Sequence, residues 1–306
     1  MVVNENVLGL IGNTPMVDVS QLSPNPDVRI IGKLESQNPF GSVKDRIAKH
    51  MIEQAEKDGR LKPGQTIMEP SSGNTGIALA AIAQMKGYPI KILMPTSVSI
   101  ERRQMLEVFG AELILTPGEE GSNGAVRRAM AMADEHPEYC FLYQYGNDNN
   151  PMAHYEGTGP EIWRDCPEIT HFVAGLGTSG TLMGTGRYLK EQNPDVKVVA
   201  EWPDVALPPI GIDRYTAFVA LTHDPKIDDP GLDVALKSDC FYIGALGSRK
   251  THARRVERLK AERGFNDNDI GRIHSPIGLD IGSVSPAEIA VAIIGEITAA
   301  LRQEPA

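Results

Sequence analysis

Lys44 stands in the run Asn38-Pro39-Phe40-Gly41-Ser42-Val43-Lys44-Asp45-Arg46, where a helical pattern begins. Further on come Glu69-Pro70-Ser71-Ser72-Gly73-Asn74-Thr75-Gly76 and then Gly175-Leu176-Gly177-Thr178-Ser179-Gly180-Thr181. One lysine at a helix start and two hydroxyl-rich glycine loops are the parts of a site for an anionic, carbonyl-bearing ligand. Only a neutral amine attacks a carbonyl, so such a lysine needs a lowered pKa. Ser42 as N-cap would put Lys44 in the first helical turn, where the positive end of the helix dipole disfavours the ammonium. A surface lysine on an amphipathic helix is the plain alternative reading of the same residue.

The loop Ser71–Gly76 is expected between a strand ending near Met68 and a helix beginning near Thr75. Its glycines allow close backbone approach, while Ser71, Ser72, Asn74 and Thr75 add donors to the free amides of the helix start. That set suits a carboxylate or a ring oxygen; a well-capped strand-to-helix turn is the bland alternative. Gly175–Thr181 follows the apolar run His171–Ala174 and opens another helix, which makes a phosphate cradle of backbone amides. Gly175, Gly177 and Gly180 also satisfy the dinucleotide fingerprint, with Glu201 standing 21 residues past Gly180 where a ribose-binding acid would sit. Thr178, Ser179 and Thr181 favour a terminal phosphate, since a pyrophosphate bridge needs mostly bare backbone.

Short apolar strands alternating with helical segments must position these loops, which is the signature of an α/β fold with a helix-covered parallel sheet. Strands are predicted at Arg29–Leu34, Thr66–Met68, Ile90–Met94, Glu112–Leu115, His171–Ala174, Lys197–Ala200, Ala217–Leu221 and Phe241–Ile243. Helices are predicted at Val43–Asp58, Thr75–Lys86, Ile100–Phe109, Asn123–Glu135, Gly157–Arg164 and Thr181–Gln192. A last helix should start at Ser285-Pro286-Ala287-Glu288 and face a core with Ile289, Ala292, Ile293, Ile297 and Leu301. Asn147-Asp148-Asn149-Asn150-Pro151 is the strongest turn cluster and a candidate crossing between lobes.

The chain has 306 residues, room for two lobes with separate cores, and a formal charge of -10 that argues against nucleic-acid or anionic-membrane partners. Arg249–Lys260 is locally basic but reads as a solvated helix face. Cys140, Cys166 and Cys240 have neither metal spacing nor disulfide density, and a cytoplasmic location is the expectation. No leader pattern or membrane-length apolar run is seen, and no metal is expected.

Together these segments resemble the cysteine synthase family, the pyridoxal-phosphate enzymes of fold type II, and most nearly its cysteine synthase B branch. The resemblance runs from Leu8-Gly9-Leu10-Ile11-Gly12-Asn13-Thr14-Pro15 to Val199. It takes in Met94-Pro95, Glu101-Arg102-Arg103-Gln104, Gly110-Ala111-Glu112, Tyr143-Gln144-Tyr145-Gly146-Asn147, His154-Tyr155 and Gly157-Thr158-Gly159-Pro160-Glu161. It implies a two-lobed α/β fold, with a small lobe over about 41–148, and pyridoxal 5'-phosphate as cofactor. It implies that Lys44 holds the cofactor covalently and later moves the substrate's α-proton. Asn74 would bond the ring hydroxyl, while Gly177, Thr178, Ser179, Gly180 and Thr181 would bind the phosphate. Ser71, Ser72, Thr75 and Gln144 would grip the amino-acid carboxylate. The implied reaction is β-replacement, from an O-activated serine and a sulfur donor to L-cysteine, in a homodimer.

The pattern breaks off near Ala200, and the family's late glycine loop, whose hydroxyl meets the pyridine nitrogen, is not found. Ser248, after the strand-and-turn Ile243–Ser248, is a candidate substitute. Glu201-Trp202-Pro203-Asp204, Leu221-Thr222-His223-Asp224-Pro225-Lys226, the run Phe241–His252 and the run Ile273–Gly282 instead resemble the C-terminal half of the xanthine dehydrogenase accessory proteins, which mature the molybdenum cofactor. That resemblance implies a Rossmann-like α/β segment over 201–306 and leaves two alternatives to the enzyme: a cofactor-maturation protein working through this segment, or a non-functional fusion.

Overall fold

The structure, a computed structural model, describes residues 4–302 apart from 24, 176, 199–201, 223 and 285. The chain divides into two compact units, Met1–Val198 and Val199–Ala306.

The first unit opens with β1 (Met16–Asp18) and β2 (Ile31–Lys33), an antiparallel pair, and then α1 (Lys44–Lys57). In α1 the residues Ile47, Ala48, Met51, Ile52 and Ala55 recur at helical spacing and are all fully buried. There follow β3 (Ile67–Pro70), α2 (Asn74–Lys86), β4 (Ile90–Pro95), α3 (Ile100–Val108), β5 (Glu112–Thr116), α4 (Gly121–Glu135) and β6 (Cys140–Phe141). The four strands β3 to β6 form one parallel sheet in the order β5-β4-β3-β6. β3 is buried along its whole length and reads as a continuous apolar run into Glu69, as a central parallel strand should. α2 is buried from Thr75 to Ala83, and its small residues let it pack closely against α1 and the sheet. Gly87, at φ 79, ends it in the left-handed cap that glycine adopts freely.

After β6 the chain turns into α5 (Asn149–Ala153), a wide π-helical turn at His154–Thr158, α6 (Gly159–Asp165) and α7 (Gly180–Gln192). The Asn147–Pro151 cluster is therefore a helix start, and the predicted helix Gly157–Arg164 is shared between the π turn and α6. The strands predicted at His171–Ala174 and Lys197–Ala200 are not formed among the described residues. They are reduced to a single parallel bridge, His171 to Lys197, with Val199 and Ala200 outside the described residues. A strand needs a neighbour, and Val173, apolar by type, is 88% exposed.

The second unit contains α8 (Pro203–Ile210), β7 (Ala217–Ala220), α9 (Pro225–Leu236), β8 (Tyr242–Ala245), α10 (Arg249–Arg263), α11 (Asp267–Ile270), β9 (Ile273–His274) and α12 (Pro286–Arg302). Its strands make a parallel sheet in the order β7-β8-β9, with a core of Leu232, Leu236, Ile243, Ala245, Leu259 and Ile270. Ala292 and Ile293 of α12 are buried, and Ile289 and Ile297 pack with Tyr242 and Ile277. The predicted cap Ser285 lies outside the described residues.

Candidate active site

Lys44 begins α1. Val43 rather than Ser42 is the residue before the helix, yet the Ser42 hydroxyl accepts the Lys44 N–H at 3.1 Å, so the serine still caps that turn. The buried Asp45 carboxylate accepts the Phe40 N–H at 2.7 Å and the Ser42 hydroxyl at 3.3 Å, which fixes the approach to the helix. Burial pushes the Lys44 pKa below its usual value, and its amine has no ion-pair or hydrogen-bond partner among the described residues. Both facts favour the nucleophilic form over the surface-lysine reading.

The Ser71 hydroxyl accepts the N–H groups of Gly73 (3.4 Å) and Gly76 (3.2 Å), and its own O–H remains a donor. Gly76 must be glycine, since a Cβ there would come within 2.4 Å of the Ser71 carbonyl oxygen. Thr75 Oγ1 donates to Gln144 Oε1 at 2.7 Å, which joins two predicted carboxylate-gripping residues. Asn74 is exposed in the first turn of α2. A cleft of about 230 Å³ lies beside this loop, with Ser71, Ser72, Gly73, Leu93, Ser122 and Tyr145 in its lining. A larger hollow of about 350 Å³ near Ile114, Pro117 and Arg127 lacks every predicted site residue.

The third loop rises to α7, with Ser179 in the left-handed region at φ 63. A Cβ at Gly175 or Gly177 would meet nothing within 4 Å, so packing within the protein does not account for these glycines. Leu176 and the fingerprint acid Glu201 lie outside the described residues. Ser248 caps α10 in the second unit by accepting the Thr251 N–H at 3.2 Å.

Three further residues tie the loops together, and sequence reading assigned them no role. Asn150 Nδ2 donates to the Gln144 carbonyl and to Thr178 Oγ1, both at 2.9 Å. His154, fully buried, places Nε2 3.2 Å from Thr181 Oγ1 and Nδ1 2.9 Å from Thr158 Oγ1. Burial, then the positive charges of Arg46 and Lys44, push its imidazole down to about 3, so it is neutral. Glu69, also fully buried, accepts the N–H groups of Tyr143 (2.8 Å) and Gln144 (3.1 Å).

A profile described as "PALP: Pyridoxal-phosphate dependent enzyme" matches residues 7–229, well over half of the sequence. The chain belongs to this family. Cysteine synthase B of Salmonella typhimurium is 50% identical over 226 residues, 73% of this chain and 74% of that protein. Cysteine synthase B of Escherichia coli is 45% identical over the same length and shares. The crystal structure of cysteine synthase from Entamoeba histolytica superposes with a TM-score of 0.63 at 41% identity, covering 69% of this chain and 64% of that one. The chain thus spans just under two thirds of that solved structure. The family profile continues past the division at Val198, so the likeness extends beyond the break near Ala200 expected from sequence.

The residues present fit the family's cofactor: an amine of lowered pKa with no partner among the described residues, a glycine loop at a helix start with open space over Gly177, and hydroxyls at Thr178, Ser179 and Thr181. No group of residues able to hold a metal is found among the described residues, and no described helix is long and apolar enough to cross a membrane.

Proposed function

We propose that this protein is a pyridoxal-phosphate-dependent transferase that replaces the oxygen substituent of an O-activated serine, such as O-acetylserine, with sulfur to form L-cysteine. The observation that carries this reading is the single hydrogen-bonded set in which Thr75–Gln144 and Asn150–Thr178 join the two ligand loops. When bound, pyridoxal phosphate supplies the electron sink that makes the substrate's α-proton acidic. The chain's own residues do the rest. Gly177, Thr178, Ser179, Gly180 and Thr181 hold the phosphate, and Asn74 orients the ring. Ser71, Ser72, Thr75 and Gln144 hold the substrate carboxylate. Lys44 holds the cofactor at rest and carries the α-proton during the reaction, which its lowered pKa favours. Small molecules are the partners, and a homodimer in a reducing cytoplasm is the proposed setting; the three cysteines are free and buried.

The test is the absorption spectrum of the pure protein before and after O-acetylserine is added. A visible band that shifts with substrate, and is lost in Lys44→Ala, supports the reading; a colourless protein that takes up no pyridoxal phosphate refutes it.

For residues 201–306, whose first part up to 229 also lies within the family match, we infer a Rossmann-like segment akin to xanthine dehydrogenase accessory proteins. Supporting this are its separate core, its parallel sheet, and Thr222, Ser248 and Ser275 placed just beyond the C-terminal ends of β7, β8 and β9, where ligands of such sheets bind. Retention of a pterin-like ligand by wild type, lost on changing the Gly244–Thr251 loop, is the test; binding no better than background discards it.

A further inference from the structure

Gln144 is pinned at both ends. β6 leaves the sheet after Phe141, with the Leu142 N–H still reaching the Met68 carbonyl at 3.4 Å. The next two donors, Tyr143 and Gln144, turn away from the ladder because Tyr143 adopts φ 51, a left-handed conformation unfavourable for a bulky residue. Their N–H groups would be orphaned in the interior, but each finds one oxygen of the Glu69 side chain. On the other side, Asn150 holds the Gln144 carbonyl through the same amide nitrogen that donates to Thr178. Asn150 is almost wholly buried, and its Oδ1 has no hydrogen-bond partner. Gly180 makes that placement possible: a Cβ there would sit 1.9 Å from Asn150 Oδ1.

We propose that Asn150 is a positioning residue that couples the phosphate loop to the substrate-carboxylate loop through Gln144, with Glu69 as the opposing clamp. This rests on the function proposed above. A ligand phosphate that orders Thr178 holds Asn150, hence Gln144, and through it the Thr75 hydroxyl. Glu69 reaches only the Gln144 side of this chain. The two clamps therefore have different signatures.

The experiment measures two dissociation constants for full-length protein: pyridoxal phosphate on the apo form and the unreactive L-serine on the holo form. Measured well above pH 7, where Glu69 is ionised although burial raises its carboxyl to about 7, Glu69→Gln sets an amide donor against one of the two backbone donors, and should weaken L-serine about tenfold with pyridoxal phosphate changed less than about twofold. Asn150→Ala should weaken both ligands about tenfold. Thr178→Val removes a hydroxyl that both faces Asn150 and holds the phosphate, so it weakens pyridoxal phosphate in any case; an accompanying loss of about tenfold in L-serine affinity reports the coupling, and it carries the test if Asn150→Ala does not fold. Asn150→Ala or Thr178→Val shifting a single constant, or Glu69→Gln shifting both equally, overturns the proposal. Wild type that takes up pyridoxal phosphate but binds no L-serine defeats the functional reading and this inference together. Wild type that binds both, with variants unchanged, defeats this inference alone.

Discussion

Arg46 and Glu161, 115 residues apart in the chain, meet in a two-pronged ion pair with both N···O distances 2.7 Å. The same guanidinium reaches Glu35 at 2.7 and 2.9 Å and Thr14 at 3.1 Å, and Lys33 adds a second cation 2.8 Å from Glu161. The network ties the N-terminal segment and α6 to α1 at Arg46, two residues after Lys44 begins the helix.

Arg46→Met should therefore destabilise the first unit by about 3–5 kcal/mol, because two largely buried carboxylates lose their main counter-charge. Urea unfolding checks it. Burial alone would raise the Glu161 carboxyl, yet the bonds from Arg46 and Lys33 outweigh it and hold the pKa at about 2. Its contribution is complete above the ordinary carboxylate pKa of 4.5 and is lost as pH falls through 2. The gap between wild type and Arg46→Met should narrow over that window.

Two glycines of the phosphate loop should respond oppositely to alanine. Gly180→Ala forces a Cβ onto Asn150 Oδ1 and should cost about 1–3 kcal/mol of stability. Gly177→Ala meets no protein atom within 4 Å and should leave the melting temperature of the apo protein unchanged while weakening pyridoxal phosphate. Thermal melts with and without cofactor separate the two.

Acid should expose His154. Its folded pKa is about 3 against an ordinary 6.5, so between those values the unfolded chain binds a proton the native state refuses. Stability falls as pH drops through this window, by roughly 5 kcal/mol in all from this group. Glu69 opposes it above pH 4.5: burial, against the backbone bonds from Gln144 and Tyr143, raises its carboxyl to about 7, so the native state holds the extra proton. Comparing His154→Gln with wild type from pH 7 to 3.5 isolates the histidine, and the variant should lose less stability on acidification.

In the second unit, Arg255 is 2% exposed and less well paired than Arg46. It donates to the Leu246 carbonyl at 2.9 Å, lies 3.7 Å from Asp228, and leaves Nε without a partner. Arg255→Met leaves the Leu246 carbonyl and the buried Asp228 carboxylate without their cationic partner, and should cost about 3 kcal/mol. A loss below about 1 kcal/mol would refute a stabilising role for this pair.

The residues around Lys44, Ser71–Gly76 and Gly175–Thr181 were legible in the sequence because each motif is local: glycine, hydroxyl and helix start lie within a few positions. Glu69, Asn150 and His154 were not. The partners of Glu69 lie 74 and 75 residues away, and the phosphate-loop partners of Asn150 and His154 lie 28 and 27 away, so nothing beside these residues in the chain distinguishes a clamp from a strand end or a turn. The Asn147–Pro151 run predicts a turn where α5 begins, since Asn and Pro favour turns and helix starts alike. α9 escaped notice because Pro230 and Gly231 lie inside it. The His171–Ala174 strand was over-read, because apolar alternation records a preference and only a neighbouring strand can satisfy it.

By itself, the amino-acid sequence determined the alternation of strands and helices up to α4, the family likeness, and the groups able to hold a phosphate and a carbonyl, all of which depend on residues close together in the chain. Tertiary structure alone decided that Lys44 is half-buried with no partner among the described residues, that Gln144 is held from both sides, and that the chain divides at Val198. Burial and hydrogen-bond pairing are properties of neighbours in space, and the chain does not name those neighbours until it folds.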